Sequence, residues 1–437
     1  MFCQLEVLRH CFPSSIRRIL DDLPESLDET YERILREIKK PNQEHAHRLL
    51  QCLVAAVRPL KVEELAEVLA FDFDAEGIPE LKLDWRWENQ EEAILAACSN
   101  LVIIVKDQES RVVQFSHFSV KEFLTAKRLV EPIRDVSCYH IRLDAAHTIL
   151  VRACLGNLLR FERINRNVVK DFPLFFYAAQ YWDTHARFEN VSSRVKEGIR
   201  CLFDSDKPHF GAWLWVYQPI DGGISYNMWP EEPRVVPLYY AARLGFHDAA
   251  EHIIAEHPEQ VNAKDTFDAT PMHAAAEAGH ADILPLLLEH GIEVDVRNVM
   301  NETPLHRASL EARLEAGKCL LDHGADINAQ AHRKLTPLHN AARKGHVEFI
   351  RMLLERGAMI NSRDFARGTP LHIATMLGKT QVVRVLLEYG ADINARDLGN
   401  ETPSEMASRF KQQEVLELLY KYGAEPVEQY LSVDPRM

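Results

Sequence analysis

Apolar residues in this chain recur mostly every three or four positions, the spacing that places them on one face of a helix. In "SSIRRILDDLPESLDETYERILREI", 14–38, the pattern predicts two helical pieces around Leu23-Pro24. Ser26 caps the second, Asp28 and Glu29 fill its first turn, and Tyr31, Ile34, Leu35 and Ile38 form its apolar stripe. "EHAHRLLQCLVAAVRPLKVEELAEVLAF" predicts a helix, a turn at Arg58-Pro59 and a second helix; "QEEAILAACS", 90–99, predicts a third. The period then changes. "NLVIIVKDQESRVVQFSHFS" reads as strand, polar turn, strand, a hairpin over about 101–116, before "HFSVKEFLTAKRL", 117–129, returns to helix. Three helices followed by a two-stranded wing describe a winged-helix domain at 44–130, after a helical segment at 1–43. Residues 131–232 read as a mainly helical linker domain with Trp182, Trp213, Trp215 and Trp229, whose topology the pattern does not give.

A longer period starts near residue 233. Thr-Pro recurs at Thr270, Thr303, Thr336, Thr369 and Thr402, always 33 residues apart, and four copies continue as "TPMH" or "TPLH". The threonine hydroxyl is expected to accept from a free amide of the next helix, and proline suits the first helical position. Ala341-Ala342 lets two helices approach closely. "VEFIRMLLERG" predicts a second helix with Val347, Ile350, Leu353 and Leu354 inward and Gly357 ending it left-handed. Most copies close on a Gly-x-x-(Val/Ile)-(Asp/Asn) turn such as "GADIN", 324–328. This half resembles ankyrin repeats. Each unit leaves an apolar face that only a neighbour covers, so the units must stack. Six units are counted over 233–425, leaving a tail at 426–437. The first, "VPLYYAARLGF", has Tyr239 in place of His and one extra residue. The last, "TPSEMAS", substitutes Ser404 and Glu405, expected to give the polar outer face of a cap. Pro285 is expected to remove one backbone bond from its helix, and Ala312, standing for the glycine of 279, 345 and 378, to reshape its turn. The fold class is mainly α: a winged helix, a helical linker domain and a C-terminal ankyrin solenoid.

The first half adds a second resemblance. "LPESLDETYERIL", "PLKVEELAEVLA", "VVQFSHFSVKEFL", "LFFYAAQYWDTHARF" and "PLYYAARLGFHD" are similar to the segment after the NTPase module of fungal NACHT–ankyrin proteins. That likeness implies a regulatory position for the winged helix. In such proteins the phosphate loop lies upstream of a helix like "FCQLEVLRHC", with which this chain begins; the expectation is an absent NTPase module. His117 stands where, in signalling NTPases of this broad class, a histidine touches the terminal phosphate; its plainer reading is a capping or packing histidine.

Composition narrows the chemistry. The formal net charge is -14, which disfavours nucleic acid unless cations cluster. The "KVEELAEVL" and "ENQEEAIL" helices carry Glu63, Glu64, Glu67, Glu88, Glu91 and Glu92, which would repel phosphates. Eight cysteines without short paired spacings fit a reducing, cytoplasmic setting, and no apolar run is long enough to span a membrane. "GKT", 378–380, lacks the earlier glycine of a phosphate loop, where Ile373 stands. His273, His306, His339 and His372 repeat at 33 and read as buried structural side chains, not metal ligands; His45 and His47 face apart. No cofactor, metal, catalytic residue or membrane partner is assigned. The function read is non-enzymatic binding of a protein partner, through residues that vary between copies at exposed slots: Phe267, Met300, Arg333, Phe365, Arg367 and Leu398 on the loops, and Glu277, Leu310, Arg343, Lys344, Met376, Leu377, Arg409 and Phe410 at the first-helix ends. The alternatives are a fragment of a nucleotide-dependent NTPase, or a winged-helix transcriptional regulator.

Overall fold

In the computed structural model the described residues are 26–74, 77–107, 110–130, 136–161, 171–217 and 236–426. The helical piece expected before Leu23, the "FCQLEVLRHC" start, Trp229 and the tail from 427 lie outside them. The chain divides into two compact units, 1–223 and 224–437.

In the first unit, α1 (Leu27–Glu37) begins where the sequence predicts, with Ser26 Oγ accepting from the Glu29 amide at 3.2 Å. Its stripe of Tyr31, Ile34, Leu35 and Ile38 is buried. Tyr31 stacks near Phe123, with centroids 5.5 Å apart, and its hydroxyl meets Ser119 Oγ at 2.8 Å. Helices α2 (Gln43–Ala55), α3 (Val62–Leu69) and α4 (Gln90–Cys98) follow. The hairpin is β4 (Val102–Asp107) with β5 (Ser110–Phe115), paired from Val102↔Phe115 to Asp107↔Ser110. A third strand, β1 (Leu60–Lys61), pairs with the other edge of β5 through Leu60↔Val113. It was invisible to pattern, since two residues carry no alternation. The same holds for the two-residue pair β2 (Phe71–Asp72) and β3 (Glu80–Leu81). Helix α5 (Phe118–Thr125) is shorter than expected, because Ala126 turns extended and the chain closes a 3-10 turn over Lys127–Val130.

Helices α6 (Leu143–Leu158), α7 (Leu174–Ala186), α8 (Val191–Arg194), α9 (Lys196–Phe203) and α10 (His209–Tyr217) complete this unit. An aromatic cluster holds α7, α9 and α10: Trp182 and Trp213 meet edge-on at 5.7 Å beside Phe203 and Phe210. Trp213 Nε1 donates to the Ala179 carbonyl at 3.0 Å, so its polar atom enters the core satisfied.

The second unit is six helix pairs: α11 (Pro237–Leu244) with α12 (His247–Glu256), α13 (Pro271–Ala278) with α14 (Ile283–Glu289), α15 (Pro304–Leu310) with α16 (Leu314–Asp322), α17 (Pro337–Lys344) with α18 (Val347–Glu355), α19 (Pro370–Met376) with α20 (Thr380–Glu388), and α21 (Pro403–Arg409) with α22 (Gln413–Lys421). Each first helix packs on the next, and so does each second helix. Proline opens every first helix.

Three expectations are corrected. Counterpart helices open at Leu314, Val347 and Thr380, which correspond to position 281, whereas α14 opens at Ile283. Pro285 therefore lies in a first turn, where its missing N–H costs no helical bond. Ala312 does not reshape its turn. It takes the left-handed conformation itself (φ 54°), and the closing bond from Arg313 N to Ala308 O, 2.9 Å, matches that from His280 N to Ala275 O, 3.0 Å. In α18 the buried residues are Phe349, Ile350, Met352 and Leu353, while Val347 and Leu354 are half-buried. The inward face is rotated toward the larger side chains.

Candidate functional site

The four repeated histidines explain why the stack holds. In each, Nδ1 accepts the N–H of the threonine three residues before it, at 3.2 Å. The threonine hydroxyl also turns to Nδ1, at 3.0, 2.9, 2.8 and 2.9 Å in chain order, so the imidazole is part of the cap. An accepting Nδ1 leaves the proton on Nε2. Nε2 donates to a carbonyl 29 residues on: Glu302 and Leu335 at 3.0 Å, Gly368 at 3.3 Å and Glu401 at 3.2 Å. Both ring nitrogens are thus spent within the fold. Burial pushes His273 and His306 down to about 4 and lowers His339 and His372, keeping the rings neutral.

The sixth unit carries Glu405 where the four before it carry histidine, and its cap changes accordingly. Glu405 Oε2 takes the Thr402 N–H at 2.7 Å, while Thr402 Oγ1 accepts from the Glu405 amide at 3.3 Å. Ser404 is not part of a polar outer face: it is 1% exposed and donates to the Glu425 carbonyl at 3.2 Å. A small hydroxyl fits that interior slot because it finds a backbone acceptor there.

The loops before each Thr-Pro project as fingers, and one side chain shapes most of them. Asp265 Oδ1 accepts from Phe267 N and Ala269 N at 2.8 Å; Asn298 Oδ1 from Met300 N and Glu302 N at 2.9 Å. Asp364 accepts from Gly368 N at 2.7 Å and Asp397 from Glu401 N at 2.9 Å. The corresponding residue of the third finger is Ala331, which has no acceptor. Neighbouring fingers are joined by a backbone ladder: Val299 N to Phe267 O at 3.0 Å, His332 N to Met300 O at 2.8 Å, Phe365 N to Arg333 O at 2.8 Å, and Leu398 N to Ala366 O at 2.7 Å. A second staple lies in the Gly-x-x-(Val/Ile)-(Asp/Asn) turns, where Asp295, Asn328, Asn361 and Asn394 each accept an amide 31 residues later. The sequence period contained both staples, but only the structure gives their partners.

Of the residues expected to vary toward a partner, Phe267 (61% exposed), Met300 (50%), Phe365 (71%) and Leu398 (65%) stand out from the fingers with no core role. Arg333, Arg343, Lys344, Arg367, Leu377 and Phe410 are also exposed. Others are less available. Leu310 is buried. Glu277 is half-buried and paired with Arg307 at 2.6 Å; Met376 is half-buried; Arg409 pairs with Glu401 at 2.8 Å and lies over the Phe410 ring. Between the second and third fingers a hollow of about 280 Å³ opens, lined by Met300, Ala331, Arg333, Leu335, Asn340 and Arg343 among others.

In the first unit, His117 is the N-cap of α5. Its Nδ1 accepts from Ser119 N at 3.3 Å, and its ring lies 4.3 Å from that of Phe118. Two acidic residues counted against nucleic acid are not on a surface at all. Glu64 and Glu67 are 2% and 3% exposed. Glu64 takes a two-pronged bond from Arg58, at 2.8 and 2.7 Å, and caps its own helix through Lys61 N. Glu67 holds Arg86 and accepts the Leu174 amide at 2.7 Å, which puts a carboxylate at the start of α7. Arg58 is held over the rings of Tyr177 and Tyr181. Among the described residues, the group near enough to share an ion is His247, Asp248 and Glu251, on one exposed turn of α12, and Asp248 has another interaction. Gly378 of "GKT" closes the turn after α19 at φ 65°, with Lys379 N bonded to Ala374 O, so its amides do not surround an anion. Among the described residues no helix is long and apolar enough to cross a membrane.

Comparison with known proteins agrees with this geometry. Residues 238–331, 330–397 and 365–430 match the family described as Ankyrin repeats (3 copies). Residues 31–132 match the family described as GPI inositol-deacylase, winged helix domain. The chain is 30% identical over 289 residues to the azaphilone pigments biosynthesis cluster protein L of Monascus ruber, a stretch covering 62% of this chain and 60% of that protein. The chain thus spans about 60% of that relative's length. The N-terminal part of the chain contains a winged-helix domain, and the helix pairs of its C-terminal part are stacked ankyrin repeats.

Proposed function

We propose that the solenoid binds a protein partner without catalysis, through the fingers and the exposed ends of its first helices. One observation carries the reading. The finger backbones are fixed to one another by the ladder, yet they present Phe267, Met300, Phe365 and Leu398 to solvent. Rigid loops bearing exposed aromatic and Met side chains have already lost the entropy that binding would cost. The match to a winged helix and the resemblance to NACHT–ankyrin proteins support placing the first unit as a regulatory arm of such a receptor, in the cytoplasm. Selecting binders from an unbiased peptide display library on the full chain tests the first part. Phe365→Ala combined with Arg343→Glu is expected to abolish capture of the selected ligands and leave the melting curve unchanged. Undiminished capture rejects this surface.

A further inference from the structure

We propose that the hollow at the third finger receives an acidic peptide segment of the partner, its carboxylates meeting Arg333 and Arg343 and an apolar side chain entering between them; this rests on the solenoid being a protein-binding surface.

Ala331 sets the third finger apart. The other four fingers carry Asp265, Asn298, Asp364 or Asp397 at this place, and each staples its own loop. Without that staple the third finger takes another path. Arg333 turns left-handed (φ 59°), directly before Lys334 (φ 57°). The left-handed slot at the end of each finger is filled by Asp268, Asn301 and Asn400 elsewhere, residues that tolerate it, but by Lys334 and Arg367 here. Long cations are not residues that favour this conformation, and strain held at exposed side chains is a pointer to function.

The hollow that results is polar where a core would not be. Asn340, 2% exposed overall, lines it and adds a side-chain amide to its wall. Met300 and Leu335 supply the apolar part of the lining.

Charge then selects the occupant. Arg307, Arg351, Arg356, Arg396 and Arg409 each pair with a carboxylate. Arg333, Lys334, Arg343, Lys344 and Arg367 have no carboxylate partner among the described residues. In a chain of net charge -14, five unpaired cations gathered on two neighbouring units are complementary to carboxylates. The apolar lining and the exposed Phe365 ring favour a peptide over a phosphate backbone.

The probes are a short fluorescein-labelled peptide of glutamates interrupted by phenylalanine, its lysine counterpart, and a single-stranded oligonucleotide of equal charge, titrated against the full chain. The glutamate peptide is expected to bind at least about tenfold tighter than either, and to weaken as salt rises. Arg333→Glu and Arg343→Glu are each expected to weaken it by about tenfold or more, with unchanged melting. Ala331→Asn restores the staple without altering charge, and is expected to lower affinity while raising the melting temperature. Equal or tighter binding of the oligonucleotide overturns the proposal in favour of a general polyanion site. Undiminished affinity in Ala331→Asn overturns the role of the hollow. If display-selected ligands bind the chain while the glutamate peptide does not, the acidic partner is wrong and the protein-binding reading stands. If the library yields no ligand at all, that reading fails with it.

Discussion

The two units face the same problem, polar groups that must be buried, and handle it in opposite ways. In the solenoid one answer is copied. A threonine, a histidine and the next unit's carbonyl recur four times with nearly the same distances. In the first unit the answers seen among the described residues are singular. Glu64 is met by Arg58, Glu67 by Arg86 and the Leu174 amide, and His185 by Tyr177 and His147. A copied answer spreads risk over several equal parts. A singular one concentrates it in pairs with no substitute.

Acid tests the copied answer most severely. A ring held at about 4, against 6.5 when exposed, binds fewer protons folded than unfolded. Its contribution is therefore complete above pH 6.5 and drains as pH falls toward 4. At pH 5, His273 and His306 together account for a loss of up to about 4 kcal/mol, read as a falling urea midpoint. A midpoint unchanged between pH 7 and 5 contradicts buried neutral rings. The first unit also holds lowered histidines, His185 at about 3 and His47 and His147 below the usual range, so hydrogen exchange should be used to assign the loss to its half.

Glu67→Ala probes the singular answer. It strips the partner from Arg86 and from the first turn of α7, and is expected to cost about 3 kcal/mol in denaturant unfolding of the first unit. A cost under about 1 kcal/mol means the pair is dispensable. His306→Ala should cost less, about 2 kcal/mol, and raise exchange mainly in its own unit and the next. Equal loosening across all six units erases the contrast between the halves. The smallest effect is a gain. Ala312→Gly relieves a left-handed alanine and should stabilise by about 1 kcal/mol, visible as a higher melting temperature.

Legibility in the sequence followed the same division. Where structure is periodic or local, pattern reached it: the Thr-Pro openings, the Ser26 cap, the hairpin, the roles of the four histidines. Where structure joins distant positions, it did not. Glu67 looks like surface because its partner amide is Leu174, 107 residues away. Strand β1 depends on Val112 and Val113 far along the chain. The start of α14 shifted because Pro285 fixes where a first turn can lie. At the candidate site, the exposed fingers were readable from variation between copies. The significance of Ala331 was not, since an alanine becomes informative only once its counterparts are seen holding their loops.

Each internal imidazole looks backward to its own threonine and forward to a carbonyl of its successor. Whole units can therefore be duplicated or excised from the middle of the array with each imidazole still matched. A copy appended beyond Thr402 would meet Glu405, an acceptor where a donor is required. Within the array the histidine junction repeats, and at Thr402 a different one replaces it.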